Sequence, residues 1–327
     1  TVLSGGLHAA SQQLDPLFEN PAVQEINRLP MRTAYFPFET KERAAANDPA
    51  QSQRFLSLNG TWRFQWVNQP ELLAKDFFKP EFSENGWMDF PVPANWEFKG
   101  FGVPIYVNHP YEFAMRNPNP PDIPDANAQP AAGYRKTFVL PREWKGMRVY
   151  LHLGAVKSAF RLYVNGREVG LGKDSKLESE FDLTPFVQEG TNLLALEVRR
   201  WTDGSFLECQ DMWRLSGITR DCYLYARPPV HLYDFFAKPK LIHDYKDGEL
   251  ELLVSAWNQS ALPAADYKVQ VQLMDAAGTT LLDTIQSTPG LNRINGARTE
   301  LLFRNQLKNI RAWTAETPYL YQLQIAL

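Results

Sequence analysis

Phe160-Arg161-Leu162-Tyr163-Val164-Asn165-Gly166 sets Phe160, Leu162 and Val164 in alternation with Arg161 and Tyr163, then stops on an Asn-Gly pair. A period of two puts successive side chains on opposite faces of an extended strand. Asn-Gly supplies the residues a type I′ turn needs, because both central positions require φ > 0. The stretch therefore predicts an antiparallel hairpin. Upstream, Val149, Leu151 and Leu153 alternate with Tyr150 and His152, and downstream residues 192–200 form another strand entered through Glu189-Gly190.

Further out the pattern stays β. Residues 1–50 read as an extended N-terminal arm, since Pro16, Pro21, Pro30 and Pro37 interrupt any helix and no period persists. The proline-rich run Asn117-Pro118-Asn119-Pro120-Pro121-Asp122-Ile123-Pro124 opens an irregular surface loop that extends to Pro130. Arg227-Pro228-Pro229 closes the strand that begins at Cys222 and marks a boundary. Beyond it, residues 250–257, 267–274, 299–304 and 319–326 all fit a period near two, and Asp275-Ala276-Ala277-Gly278 turns into a further strand. No helical period is sustained and no internal repeat is visible. The expected fold is all-β: a sandwich over residues 51–227, then an immunoglobulin-like sandwich over residues 228–327.

A length of 327 residues suits two domains that each bury a core, and 44% hydrophobic with 22% charged residues is ordinary globular composition. A formal charge of −3 gives no long-range attraction to nucleic acid or to an anionic membrane. No apolar run approaches the ~18 residues of a membrane span. Residues 1–13 lack the layout of a signal peptide, and the chain opens on Thr1 rather than methionine, so it reads as a piece of something longer. Cys209 and Cys222 cannot make a disulfide framework; a bridge between them stays open beside the commoner reading of buried free thiols. The histidines are scattered without metal-site spacing, and phosphate loops and nucleophile triads are absent.

Chemistry concentrates in Arg200-Trp201-Thr202-Asp203-Gly204-Ser205-Phe206-Leu207-Glu208-Cys209-Gln210-Asp211-Met212-Trp213-Arg214-Leu215-Ser216-Gly217-Ile218-Thr219-Arg220-Asp221, with four carboxylates, three arginines and two tryptophans. Carboxylates accept hydroxyl hydrogen bonds and indoles stack on the apolar faces of sugar rings, so the composition suits a polyhydroxylated ligand. It equally suits a salt-bridged loop that closes a sandwich. Trp62, Trp66, Trp87 and Trp96 offer a sugar platform on one reading and core filling on the other.

The order of these elements resembles glycoside hydrolase family 2, on the β-galactosidase branch. Phe18-Glu19-Asn20-Pro21 and Glu25-Ile26-Asn27-Arg28-Leu29-Pro30 resemble its N-terminal arm. Ser57-Leu58-Asn59-Gly60-Thr61-Trp62-Arg63-Phe64, Val92-Pro93-Ala94-Asn95-Trp96-Glu97 and Pro104-Ile105-Tyr106-Val107-Asn108 resemble its sugar-binding domain, followed in order by Asp174-Ser175-Lys176 and Glu180-Phe181-Asp182-Leu183. Asp211-Met212-Trp213-Arg214-Leu215-Ser216-Gly217-Ile218 resembles the galactosidase branch, and Trp313-Thr314-Ala315-Glu316-Thr317-Pro318-Tyr319-Leu320-Tyr321 the end of the immunoglobulin-like domain.

The resemblance implies a jelly-roll fold for the sandwich over residues 51–227, and a longer parent that hydrolyses terminal β-D-galactosides with retention. The two carboxyl groups that do so, about 5 Å apart, would sit on a (β/α)₈ barrel following Leu327, so this piece alone is expected to be inactive. Asn108 and Asp203 would bind sugar hydroxyls as one wall of that barrel's pocket. Asp203 would also help ligate sodium; the parent would use magnesium as well, the piece alone holding neither ion. The implied partners are a β-galactoside, the parent's own barrel and further copies of the parent in a homo-oligomer. The rival expectation is a stand-alone carbohydrate-binding or adhesion module.

Overall fold

Asn165 and Gly166 take φ of 51° and 79°, as their sequence requires, and the strands they join, Ala159–Val164 and Arg167–Gly172, pair antiparallel with Val164 opposite Arg167. The computed structural model describes residues 16–108, 120, 123, 129–208, 210–260, 267–288 and 297–327. Most of the proline-rich loop, together with His8, His109 and Cys209, lies outside the described residues.

Residue contacts divide the chain into two units, neither of them continuous in sequence. One takes in Thr1–Leu29, Ser57–Arg142 and Tyr150–Leu224; the other takes in Pro30–Leu56, Glu143–Val149 and Tyr225–Leu327.

In the first unit a seven-stranded sheet runs in the order Glu25–Ile26, Arg167–Gly172, Ala159–Val164, Thr191–Arg199, Ala131–Val139, Gly60–Val67, Met88–Val92. In a second sheet of this unit Ser179–Asp182 pairs antiparallel with Tyr150–Leu153. Phe160 of the first meets Phe181 of the second edge-on, ring centroids 5.8 Å apart, across a filled sandwich interior. Trp62 and Trp96 are buried there, Trp87 is buried in a separate cluster with Val67, Phe77, Ala131 and Tyr163, and Trp66 is half-buried. A buried indole N–H must find an acceptor: Trp62 Nε1 donates to Leu58 O at 2.7 Å and Trp96 Nε1 to Tyr134 Oη at 2.6 Å. Core filling is thus the role of three of the four tryptophans considered as a sugar platform. Cys222 is a buried free thiol, pushed well up by burial.

In the second unit two three-stranded sheets enclose one core. Val230–Ile242, Asp247–Asn258 and Ala297–Leu307 make one; Thr280–Ser287, Lys268–Met274 and Gln322–Ala326 make the other. Val269 and Val271 from the second sheet pack with Leu252, Val254 and Phe303 from the first, the inward half of each alternation. Burying one such side chain contributes about 1.5–3 kcal/mol.

The arm is not wholly extended. Pro16–Glu19 and Lys41–Ala46 form short helices. Pro16 occupies a first helical position, where a missing N–H costs nothing, and Thr40 caps the second helix by accepting from Arg43 N at 3.3 Å. Thr33 and Tyr35 of the arm are tied down by polar contacts: Thr33 Oγ1 donates to Phe235 O at 2.6 Å and Tyr35 Oη to Leu232 O at 2.9 Å.

Candidate functional site

The strand Thr191–Arg199 delivers the acid-rich stretch into one end of the first unit. Arg200, next in the chain and 4% exposed, ties three segments together. Its guanidinium donates to Val103 O at 2.9 Å and Arg214 O at 3.2 Å, and lies 3.6 Å from Glu97 Oε1. Glu97 in turn accepts from Ser216 N at 2.9 Å. Two distant motifs are closed on each other here. Ala94 N donates to Ile218 O at 2.9 Å and Trp96 N to Ser216 O at 3.1 Å. Gly217 sits at φ 114° between them, and a Cβ there would lie 2.7 Å from Ala94 O and 2.8 Å from the Trp96 ring.

Asp203 opens a short 3₁₀ turn, Asp203–Phe206, on which Thr202 N donates to Ser205 Oγ at 3.1 Å. Its carboxylate is buried against Lys173, with Nζ 2.6 Å from Oδ1 and the two side chains 2% and 5% exposed. Lys173 Nζ also donates to Asn20 O at 3.1 Å. Two residues on, Ser175 N donates to Glu208 Oε1 at 2.9 Å, and Ser175 Oγ donates to the other oxygen of Glu208. Lys173-Asp174-Ser175 is therefore a hub that holds both Asp203 and Glu208. Asp174 takes φ 90°, and burial, outweighing the nearby Arg28 guanidinium and reinforced by Glu208, pushes its carboxyl up.

Asn108 is exposed and directly follows the strand Ile105–Val107. That strand pairs with Met212–Arg214, setting Tyr106 opposite Trp213 and Val107 opposite Met212. Tyr106 and Trp213 are both about half exposed, at 51% and 53%, with ring centroids 5.6 Å apart. Tyr106 Oη donates to Asp211, which raises the phenol's pKa. Asn108 and Asp203 are linked through Arg200, whose bonds to Val103 O and Arg214 O anchor the strand pair before Asn108, and whose own position precedes the Asp203 turn by three residues.

Lys173 and Glu208 are partners that sequence reasoning left without roles, although Lys173 abuts the Asp174-Ser175-Lys176 motif. Asp203 Oδ1 is held by the Lys173 ammonium, which leaves the carboxylate's second oxygen for another ligand. Among the described residues no three His, Cys, Asp or Glu side chains converge into a metal-holding group.

Comparison with known proteins agrees with this architecture. The sugar-binding domain of glycosyl hydrolases family 2 matches residues 55–228, and a second glycosyl hydrolases family 2 region matches residues 230–327. A β-galactosidase from Priestia megaterium is 38% identical over 308 residues, covering 94% of this chain and 30% of the relative. One from Pseudoalteromonas haloplanktis is 37% identical over 317 residues, covering 95% and 29%. Among solved structures, a β-glucuronidase from Bacteroides uniformis shares the fold with a TM-score of 0.67 at 19% identity, over 83% of this chain and 30% of that one. This chain thus spans less than a third of the length of these relatives. On the two matches, which run through both sandwiches, the chain belongs to glycosyl hydrolases family 2.

Proposed function

We propose that this chain is the pocket-wall portion of a longer β-galactosidase that acts on terminal β-D-galactosides with retention, and that it does not itself carry the acid/base and nucleophile pair. The observation that carries this reading is the 38% identity to a β-galactosidase across 94% of the chain. Asn108, exposed, offers amide donors and an acceptor to sugar hydroxyls; Asp203, on its capped turn, offers a carboxylate whose orientation Lys173 fixes. Each of the four carboxylates of the acid-rich stretch has a structural partner: Asp203 has Lys173, Glu208 has Ser175, Asp211 has Tyr106 and Asp221 has Asn59. A general acid or nucleophile must instead be free to meet substrate.

The test compares this chain with the full-length gene product on chromogenic β-galactosides and β-glucuronides. Turnover of the galactoside by the longer protein, with buffer-level rates from this chain, is expected. Activity that co-purifies with this chain, or a full-length protein that prefers the glucuronide, would refute the proposal. One observation favours the rival binding-module reading: the exposed Tyr106–Trp213 pair is a shape on which a sugar ring can stack. Calorimetry with galactose separates the two. A wall without its pocket predicts a millimolar or weaker constant, about −4 kcal/mol; a micromolar constant lost in Trp213→Ala supports the module.

A further inference from the structure

Asn-Gly pairs occur four times in the chain, as Asn59-Gly60, Asn85-Gly86, Asn165-Gly166 and Asn295-Gly296. Each is a point of chemical weakness, because glycine puts no side chain between its own amide nitrogen and the preceding carboxamide. The last pair lies outside the described residues. In two of the others the carboxamide is clamped at both ends. Asn165 Nδ2 donates to Phe186 O at 3.0 Å and to Asn192 Oδ1 at 2.8 Å, while its Oδ1 accepts from Leu193 N at 2.9 Å. Asn59 Nδ2 donates to Asp221 Oδ1 at 2.9 Å, and its Oδ1 accepts from Cys222 N at 2.9 Å. Asn85 differs. It is exposed, and its carboxamide makes no hydrogen bond among the described residues. It is the second residue of a turn that Trp87 N closes on Glu84 O at 3.0 Å, with Gly86 at φ 81° and open space where a Cβ would stand.

We infer that Asn85 is the deamidation site of the folded protein. The Gly86 nitrogen gives up its proton and attacks Asn85 Cγ. The new Cγ–N bond closes a five-membered imide, the Cγ–Nδ2 bond breaks, and Nδ2 takes up the proton and leaves as ammonia. Water then adds to either imide carbonyl and reopens the ring, which restores the glycine N–H and yields aspartate or isoaspartate. One water is consumed and one ammonia released, with no change of oxidation state. The first bond forms only if the carboxamide swings toward the following nitrogen. At Asn59 and Asn165 that swing breaks two or three hydrogen bonds, each a factor of about 2–10 in the equilibrium; at Asn85 it breaks none. The product matters to the fold nearby. Glu84 accepts from Arg135 Nε at 2.7 Å and from Arg63 Nε at 3.1 Å, and Arg63 Nη2 donates to Trp87 O at 2.5 Å. Isoaspartate lengthens the backbone of the turn that carries both Glu84 and the buried Trp87.

The experiment incubates the folded chain in mildly alkaline buffer and follows the peptides around Asn59, Asn85 and Asn165 by mass spectrometry. Imide, aspartate and isoaspartate are expected at Asn85 first, at a rate at least about tenfold above those at Asn59 and Asn165. In urea, where the clamps are gone, the three rates should converge. Asn192→Ala removes one partner of Asn165; it should speed conversion there and leave Asn85 as it was. Equal rates at the three positions in the folded chain, or conversion of Asn59 or Asn165 ahead of Asn85, overturns the inference. So does a lead for Asn85 that persists undiminished in urea, since the neighbouring sequence and not the fold would then set it, and so does an Asn165 rate that Asn192→Ala leaves unmoved. If Asn192→Ala does not fold, the comparison of folded with urea-unfolded wild type decides alone.

Discussion

Replacing Gly217 with alanine should unlatch the two motifs that frame the candidate site. The new Cβ would be 2.7 Å from Ala94 O and 2.8 Å from the Trp96 ring, closer than real Cβ atoms approach anything. Neither neighbour can give way cheaply. Ala94 is fixed by its N–H bond to Ile218 O at 2.9 Å, and Trp96 is fully buried with its indole bonded to Tyr134 Oη at 2.6 Å. The backbone at φ 114° adds a second cost, since L residues rarely adopt it. Strain of that kind is worth about 1–3 kcal/mol, and overpacking a filled core about 1–3 kcal/mol. The expected loss is therefore about 2–6 kcal/mol, much of the total stability of a typical domain, which is about 5–15 kcal/mol. Urea unfolding followed by tryptophan fluorescence measures it, with the midpoint shifting and the slope unchanged. In a thermal scan the shift is about 2–4 °C per kcal/mol for a unit of this size. A Gly217→Ala protein within about 0.5 kcal/mol of wild type would show that the Ala94–Ile218 latch is softer than its geometry implies.

Three further outcomes are expected. Asp203→Asn strands the buried Lys173 ammonium and should destabilise the first unit by about 3–5 kcal/mol; in the full-length enzyme it should also lower kcat/KM on galactosides at least about 100-fold, and wild-type stability would contradict the ion pair. Burial, aided by Arg227, depresses His231 from 6.5 to about 3; the unfolded chain therefore binds a proton that the folded one refuses, and stability should fall by about 1.4 kcal/mol per pH unit as pH drops from 6.5 toward 3, with His231→Gln flattening that slope in denaturation midpoints. Backbone amides of the edge strand Gln322–Ala326 should exchange faster than those of its neighbour Lys268–Met274, which is paired on both sides; equal protection would point to a covered edge.

The β character was legible because alternation and turn chemistry are local. Val269 and Val271 fall inward as their spacing demands, and Asn165-Gly166 turns at positive φ. Val230–Ile242, a strand of 13 residues, was not among the expected ones. Pro239 and the lysines around it blur its period, and an outer strand can carry proline. The helix Lys41–Ala46 escaped because a single capped turn has no period to detect. At the candidate site, Asn108 and Asp203 were legible only through resemblance. The ion pair of Asp203 with Lys173 was not, since it spans 30 residues and depends on how the turn after one strand meets the loop after another.

The anchoring of the arm sets a constraint on biosynthesis. Thr33 bonds to a carbonyl 202 residues later in the chain, and Tyr35 to one 197 later. At about 5–20 residues per second, a ribosome needs about 10–40 s to make that partner strand. Throughout that interval the segment Pro30–Leu56 has emerged but lacks the surface that satisfies it, while the strands of the first sandwich, lying between, are being completed. A cut at residue 228 would impose the same deprivation permanently, separating the second sandwich from a part of itself. Excising it as a working domain requires the early segment to be supplied as well, on the same chain or as a separate peptide.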